Sequence, residues 1–261
     1  VSFISDVRLS ASAFGAQYNN PLSGVLQFTQ RDVNPDGFAG NFRLSASEAA
    51  LTLETPLSVN KENGAVKTDV LFSVRRSYLQ FLFELIGLPI RPDYWDYQYK
   101  LNHKIDAYNS LSFVGLGSID EFTVALPEDP TPDQQATFDQ VPFINQNSNT
   151  VGVTWKRRFK DQNGFMELSL SNNSLWNTYS EYNDNASQTG LRFQNDALES
   201  ETKLRLAVNR FAKGWKWSHG FNLQRAFYEN STLNTLAGFN YNTTLDFINY
   251  GVFTQGSKDF F

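Results

Sequence analysis

Residues 95–105 read Trp-Asp-Tyr-Gln-Tyr-Lys-Leu-Asn-His-Lys-Ile, with every odd position aromatic, aliphatic or His and every even one charged or amide. A period-2 stripe of this kind belongs to an extended strand whose two faces meet different solvents. Its length matches the roughly nine to eleven residues of a tilted membrane-crossing strand, whereas soluble strands usually stop near five or six. The pattern returns at Val151/Val153/Trp155, at Met166/Leu168/Leu170 and at Trp215/Trp217/His219/Phe221/Leu223, each interleaved with small or polar residues. Four such stripes in one chain predict a transmembrane β-barrel.

Composition narrows the alternatives. The aromatic fraction is 15% while mean hydropathy stays negative at −0.41, the combination expected of aromatic girdles and an apolar outer face offset by a polar lumen. Cysteine is absent, which removes disulfides, thiolate metal sites and thiol nucleophiles. The two histidines, His103 and His219, stand far apart on the apolar phase of their strands, which fits strand residues near an interface better than metal ligands. No metal, cofactor or catalytic residue is assigned. A net charge of −5 disfavours nucleic acid, whose phosphates need a basic surface. No stretch reaches eighteen consecutive apolar residues, so no transmembrane helix is expected.

Turn signals divide the chain into strands near 37–46, 49–56, 67–78, 94–105, 110–118, 148–159, 164–174, 200–212, 215–228 and 243–255. Short connections at 106–109, 160–163 and 212–214 alternate with long ones at 119–147, 175–199 and 229–242. Short periplasmic turns and long external loops are the habit of outer-membrane barrels. Residues Tyr78 to Leu88 break the period and read as a strand end followed by a short apolar helix, with Pro89 and Pro92 ending it.

Ligand-binding residues are not assigned from sequence. The 119–147 loop carries Asp120, Glu121, Glu128, Asp129, Asp133 and Asp139, but without the regular spacing of a calcium loop it reads as a solvated loop. Trp176, Tyr179 and Tyr182 have the chemistry to stack on a flat ligand or to pack their own loop. The phase of Lys100, Asn102, Lys104, Lys156, Arg158, Lys203 and Arg205 makes them a mixed polar lumen wall. Arg75 and Arg76, being adjacent, must point to opposite faces.

The N-terminal section differs. Residues 13–36 contain Tyr18, then Ser23-Gly24-Val25 and Phe28-Thr29, then Arg31. Further on come Arg75-Arg76-Ser77-Tyr78-Leu79, Tyr94-Trp95-Asp96-Tyr97 and Gly117-Ser118-Ile119-Asp120. These segments resemble TonB-dependent outer-membrane receptors, in particular those of Bacteroidetes-type bacteria. Residues 13–36 are similar to the end of the plug domain, with Asn19 departing from the family's usual Gly. The resemblance implies plug end over 1–36 and barrel over 37–261. The expected fold is all-β, an antiparallel up-and-down transmembrane barrel of about ten strands, and the expected location is the outer membrane.

Gly256-Ser257-Lys258-Asp259 reads as a turn, so Phe261 would open a further strand. About ten strands fall short of the roughly 22 of a plugged transporter, and the chain is therefore expected to be an internal portion of a longer receptor. The resemblance further implies import of a scarce nutrient, an iron chelate, a cobalamin-like cofactor, a glycan or a peptide. The implied partners are outer-membrane lipid, that ligand, and a TonB-type energy-transducing protein engaged through a segment N-terminal to this sequence. No enzyme activity is implied. Two rivals make distinct demands. A complete ten-strand barrel enzyme needs pairing of the first and last strands, and a soluble β-sandwich binding module needs Trp95, Tyr97 and Tyr99 in a buried core.

Overall fold

The structure, a computed structural model, describes residues 3–12, 14–18, 23–34, 36–61, 63–126 and 129–259. Asn19, Glu128 and Phe261, singled out above, lie outside the described residues. Two short strands, β1 (Ile4–Ser10) and β2 (Val25–Gln30), pair antiparallel as a separate sheet. The remaining strands form one antiparallel sheet in strict chain order, from β3 to β12. Its first half comprises β3 (Ala39–Leu44), β4 (Glu48–Val59), β5 (Val66–Ser77), β6 (Ile90–Lys104) and β7 (Asn109–Val124). The second half comprises β8 (Phe143–Arg158), β9 (Gly164–Asp184), β10 (Thr189–Ala212), β11 (Trp215–Asn234) and β12 (Phe239–Lys258). This is the up-and-down antiparallel architecture expected, with ten strands in the large sheet. Strands β3 and β12 are its outer members and do not pair with each other, so the pairing demanded by a closed ten-strand enzyme is not made.

The pleat separates two chemistries. Glu54, Lys100, Arg205 and Gln255 share one phase through the registers of neighbouring strands, and all four touch the N-terminal section. Arg31 donates two hydrogen bonds to Glu54, at 2.6 and 2.7 Å, and the Asn34 N–H donates a third at 2.8 Å. Lys100 Nζ donates to the Arg31 carbonyl at 3.1 Å. On the other side of the sheet, Arg205 donates to Gln17 Oε1 at 3.1 Å and the Ala16 N–H donates to Gln255 Oε1 at 3.0 Å. The N-terminal section therefore lies on the concave polar face and bridges strands that are far apart in the sheet. Leu71 and Thr52, on the same face, are almost fully buried. Lys156 pairs with Glu167 at 2.8 Å and Asn102 donates to Asp69 at 2.8 Å, so the mixed polar wall is internally compensated.

The opposite phase carries Trp95, Tyr97, Tyr99, Phe113, Val151, Leu170 and Leu223, apolar or aromatic and at least partly exposed. Trp95 retains 43% of its surface, so these aromatics are a surface belt, not the buried core that a sandwich requires. Glycines complete that surface. A Cβ on Gly115 would lie 2.2 Å from the Tyr99 ring, and one on Gly117 would lie 2.6 Å from both Tyr97 and the Ser148 carbonyl oxygen. The two tyrosines lie across neighbouring glycines, covering a backbone that would otherwise be bare. Arg75 turns inward, its Nε 2.6 Å from Asp96, while Arg76 turns outward over the Trp95 ring at 5.1 Å, as adjacency requires.

Four expectations need correction, the first being the turn at Gly256-Ser257-Lys258-Asp259: β12 continues through Gly256 and Ser257 to Lys258, paired with Trp217, Lys216 and Trp215 of β11. The long connections at 175–199 and 229–242 are mostly strand: β9 and β10 continue to a hairpin at 185–188, and β11 and β12 to one at 235–238. The outward apolar row of β10, Leu204–Leu206–Val208, ends long before the 24-residue strand does, and beyond it both faces meet water, so alternation stops while the hydrogen-bond ladder continues. The 119–147 connection is likewise shorter, because β7 runs to Val124, β8 begins at Phe143, and helix α2 (Pro132–Gln140) lies between. Thr131 and Gln134 form a capping box there, with Pro at the helix start. Helix α1 (Leu79–Leu85) is present before Pro89, but Pro92 sits within β6.

The turns at the other end are short. Lys213 and Gly214 join β10 to β11 with φ of 49° and 77°, the left-handed pair of a two-residue hairpin.

Two outcomes follow for the full-length protein in detergent. Gly117→Val drives a side chain into Tyr97 and a backbone carbonyl and should cost about 1–3 kcal/mol in a denaturant titration. Glu54→Gln removes the ionic partner of Arg31, a loss of about 2 kcal/mol, and should raise amide exchange at Asn34 roughly thirty-fold.

Candidate functional site

The extended hairpins flank an open pocket of about 550 Å³ on the concave side, lined by Asn177, Tyr179, Glu181, Arg192, Phe193, Asn195, Asn234 and Leu236. Register explains the gathering. Tyr179 faces Asn195 and Glu181 faces Phe193 across the β9–β10 ladder, and Phe193 in turn faces Asn234 of β11. A register shift between Leu191 and Phe193 locally breaks the alternation, and Arg192 lines the cavity beside Phe193.

Glu181 organises the polar side. It accepts from the Tyr179 hydroxyl at 2.7 Å and from Arg192 Nη2 at 2.9 Å. These residues lie well past Leu170, where the lipid-facing row of β9 ends. The Tyr179 hydrogen bond, aided by Arg192, holds the Glu181 carboxyl below its usual range despite partial burial. The same hydrogen bond, together with desolvation, pushes the Tyr179 hydroxyl up to about 12. Tyr179 and Phe193 meet edge to face at 5.7 Å between ring centres. Asn195 is held by Thr232, to which its amide donates at 2.7 Å.

Two buried polar atoms of the lining have no hydrogen-bond partner, Asn177 Oδ1 and Arg192 Nε. An acceptor and a donor left unmade in this way are costly in an empty wall. The Tyr179–Phe193 pair forms the aromatic flank of the pocket.

The three aromatics noted in sequence separate here. Tyr179 lines the cavity, Tyr182 packs edge to face on Phe143 at 5.6 Å, and Trp176 sits on the outer phase with 45% of its surface exposed. Arg192 and Asn177 were not singled out in sequence, and no local motif marks them, since only the β9–β10 register brings them together. Of the acidic residues near 119–147, Asp120 and Glu121 lie on β7 and Asp133 and Asp139 on α2. Among the described residues no three His, Asp or Glu side chains converge on a metal site. His103 hydrogen-bonds Thr68 at 2.9 Å and His219 bonds Thr254 at 2.6 Å, each on its own strand pair.

Comparison with solved structures places this geometry in context. The chain is similar to the copper transporter OprC, with a TM-score of 0.61 at 12% identity over 90% of this chain and 38% of that one. It is similar to the ferripyoverdine receptor of the Pseudomonas aeruginosa outer membrane, with a TM-score of 0.61 at 11% identity over 93% and 35% of the two chains. The alcaligin outer-membrane receptor FauA of Bordetella pertussis gives 0.57 at 12% identity over 99% and 47%. The chain has the fold of an outer-membrane receptor barrel. The structures it resembles are TonB-dependent receptors, and this chain spans less than half the length of each of the three. No protein-family model and no curated protein sequence matches it. The cavity lies past the apolar belt, at the end of the sheet away from the short turns.

The Tyr179–Glu181 bond predicts that Tyr179 ionises near pH 12 and that Glu181→Gln returns it toward 10. An ultraviolet pH titration, differenced against Tyr179→Phe, reads this directly. Because the Glu181 carboxyl is depressed in the folded state, its contribution is present above the ordinary carboxylate range and is lost as pH falls through the folded value. Acidification should therefore loosen Arg192, and Glu181→Gln should abolish that response.

Proposed function

We propose that this chain is the plug end and the first barrel strands of a TonB-dependent outer-membrane receptor that actively imports a scarce polar small molecule. One observation carries the reading. The ten-strand sheet presents an apolar outer phase and a polar inner phase, and the inner phase is occupied by the N-terminal section through Arg31–Glu54, Lys100 and Arg205. An occupied lumen supports gated import and argues against a simple pore.

On this reading residues 1–36 close the plug and residues 37–261 begin the barrel. The exposed edges of β3 and β12 pair with further strands, because unpaired backbone groups cost several kcal/mol each in hydrocarbon. The cavity framed by Asn177, Tyr179, Arg192 and Phe193 forms part of the ligand vestibule. Its volume of about 550 Å³ and its aromatic flank favour a compact ligand with a flat face, such as a metal chelate, over a long glycan or peptide. The copper and ferripyoverdine relatives lie in that direction. Energy enters from a TonB-type partner in the inner membrane, and the reaction is translocation without covalent chemistry.

The test is uptake of labelled ferric chelates by cells carrying the full-length receptor. Uptake should require the energy-transducing partner and fall about tenfold in Arg192→Ala, with the receptor still in the outer-membrane fraction. Partner-independent uptake would instead indicate a passive pore, and recovery of the protein in the soluble fraction would end the membrane reading.

A further inference from the structure

Charge is distributed along the barrel axis in a way the overall −5 conceals. At the short-turn end, segments 60–67, 104–109, 157–163, 210–216 and 258–259 together carry ten Lys or Arg and four Asp or Glu. At the opposite end, segments 45–48, 76–93, 119–146, 178–196 and 229–246 carry three Lys or Arg and fourteen Asp or Glu. An acidic chain thus has one basic rim.

Three of those cations, Arg157, Arg210 and Lys258, end outward rows, while Lys104, Arg158 and Lys216 lie on the lumen phase. On β8 the outward row runs Val151, Val153, Trp155, Arg157, and on β10 it runs Leu204, Leu206, Val208, Arg210. On β12 the outward row ends in Lys258, whose ammonium lies 5.4 Å from the centre of the Trp215 ring. Trp215 and Trp217 stack at 5.2 Å beside it and stay about two-fifths exposed, which marks the level of the headgroups. Each of these rows passes from apolar side chains to a cation at that level, and Lys160 and Lys213 extend the rim from the adjoining turns, both exposed.

Local acids take up only part of it. Asp161 pairs with Arg210 at 2.8 Å and Asp259 with Lys216 at 2.9 Å. Asp106 takes its hydrogen bonds from Tyr108 and Asn109 of its own turn and also interacts with the Arg157 charge, and Glu62 lies outside the described residues. At the other end of the belt the outward cation Arg225 is matched by Asp246 at 2.7 Å, so the asymmetry belongs to one leaflet.

We infer that this rim binds the anionic headgroups of phospholipids in the periplasm-facing leaflet, with Arg157, Lys160, Lys213 and Lys258 as the contacting cations and Trp215 and Trp217 as the headgroup-level anchors. Cations just beyond an aromatic belt meet lipid phosphates at the distance where attraction is strongest, and the attraction is screened by salt. The inference rests on the membrane reading above and on short turns facing the periplasm.

Native mass spectrometry of the full-length receptor in neutral detergent tests it, with equimolar phosphatidylglycerol and phosphatidylcholine as probes. Phosphatidylglycerol adducts should exceed phosphatidylcholine adducts about fivefold. The ratio should fall toward one in an Arg157→Gln/Lys160→Gln/Lys213→Gln variant, and should hold in Arg225→Gln. Raising ammonium acetate should lower the ratio for the parent protein, a readout that needs no variant. A ratio near one in the parent, or a ratio unchanged in the triple variant with heat-modifiable migration intact, would overturn the inference while leaving the barrel in place. A parent protein that stays monodisperse without detergent would instead remove the membrane reading itself.

Discussion

A backbone amide in hydrocarbon has no water to bond, so every N–H and C=O within the belt must be matched by a neighbouring strand. The rest of this molecule follows from that constraint. From β5 to β12 the described strands pair in chain order, and the ladder fixes which side chains share a face. Once Lys100 is inward, Leu71 and Val114 must be inward too, and Tyr99 and Phe113 must be outward. The polar lumen, the apolar belt and the seat for the N-terminal section are one decision about register, repeated strand by strand.

The N-terminal section depends on that decision in turn. Glu54 projects inward because β4 is in register with β5, and its carboxylate collects three donors from residues 31 and 34. Charge-assisted bonds of this kind are directional and strong, and they hold the section at one wall while Gln17 and Ala16 meet the far wall. A lumen lined with apolar residues would offer no such seats.

Residues 95–105 carried enough information to assign the inner and outer faces of β6, since Trp95 is outward and Lys100 inward as the stripe required. Ten sheet strands were likewise legible, because each crosses two solvents. The upper halves of β9 and β10 were not, for a physical reason: past residue 174 polar and apolar residues mix on both phases, Trp176, Thr178 and Ser180 on one and Leu175, Asn177 and Tyr179 on the other, so no polarity contrast records the strand. Helix α2 was legible in principle from Thr131-Pro132-Asp133-Gln134, a start signal obscured by the acidic and proline-rich run around it. The cavity was not, because Asn177 and Arg192 become neighbours only through a hairpin whose register local sequence does not encode.

The cavity walls are hydrogen-bonded strands joined by four-residue hairpins at 185–188 and 235–238, where long loops were expected. Walls of that kind have already lost their conformational entropy in folding. A ligand entering the cavity of Tyr179 and Arg192 meets side chains already in place, so little of its binding free energy is consumed in ordering the receptor. On the proposed reading, selectivity would come from fixed shape, and a single substitution in this wall should change which ligand is accepted more readily than it changes how tightly ligands in general are held.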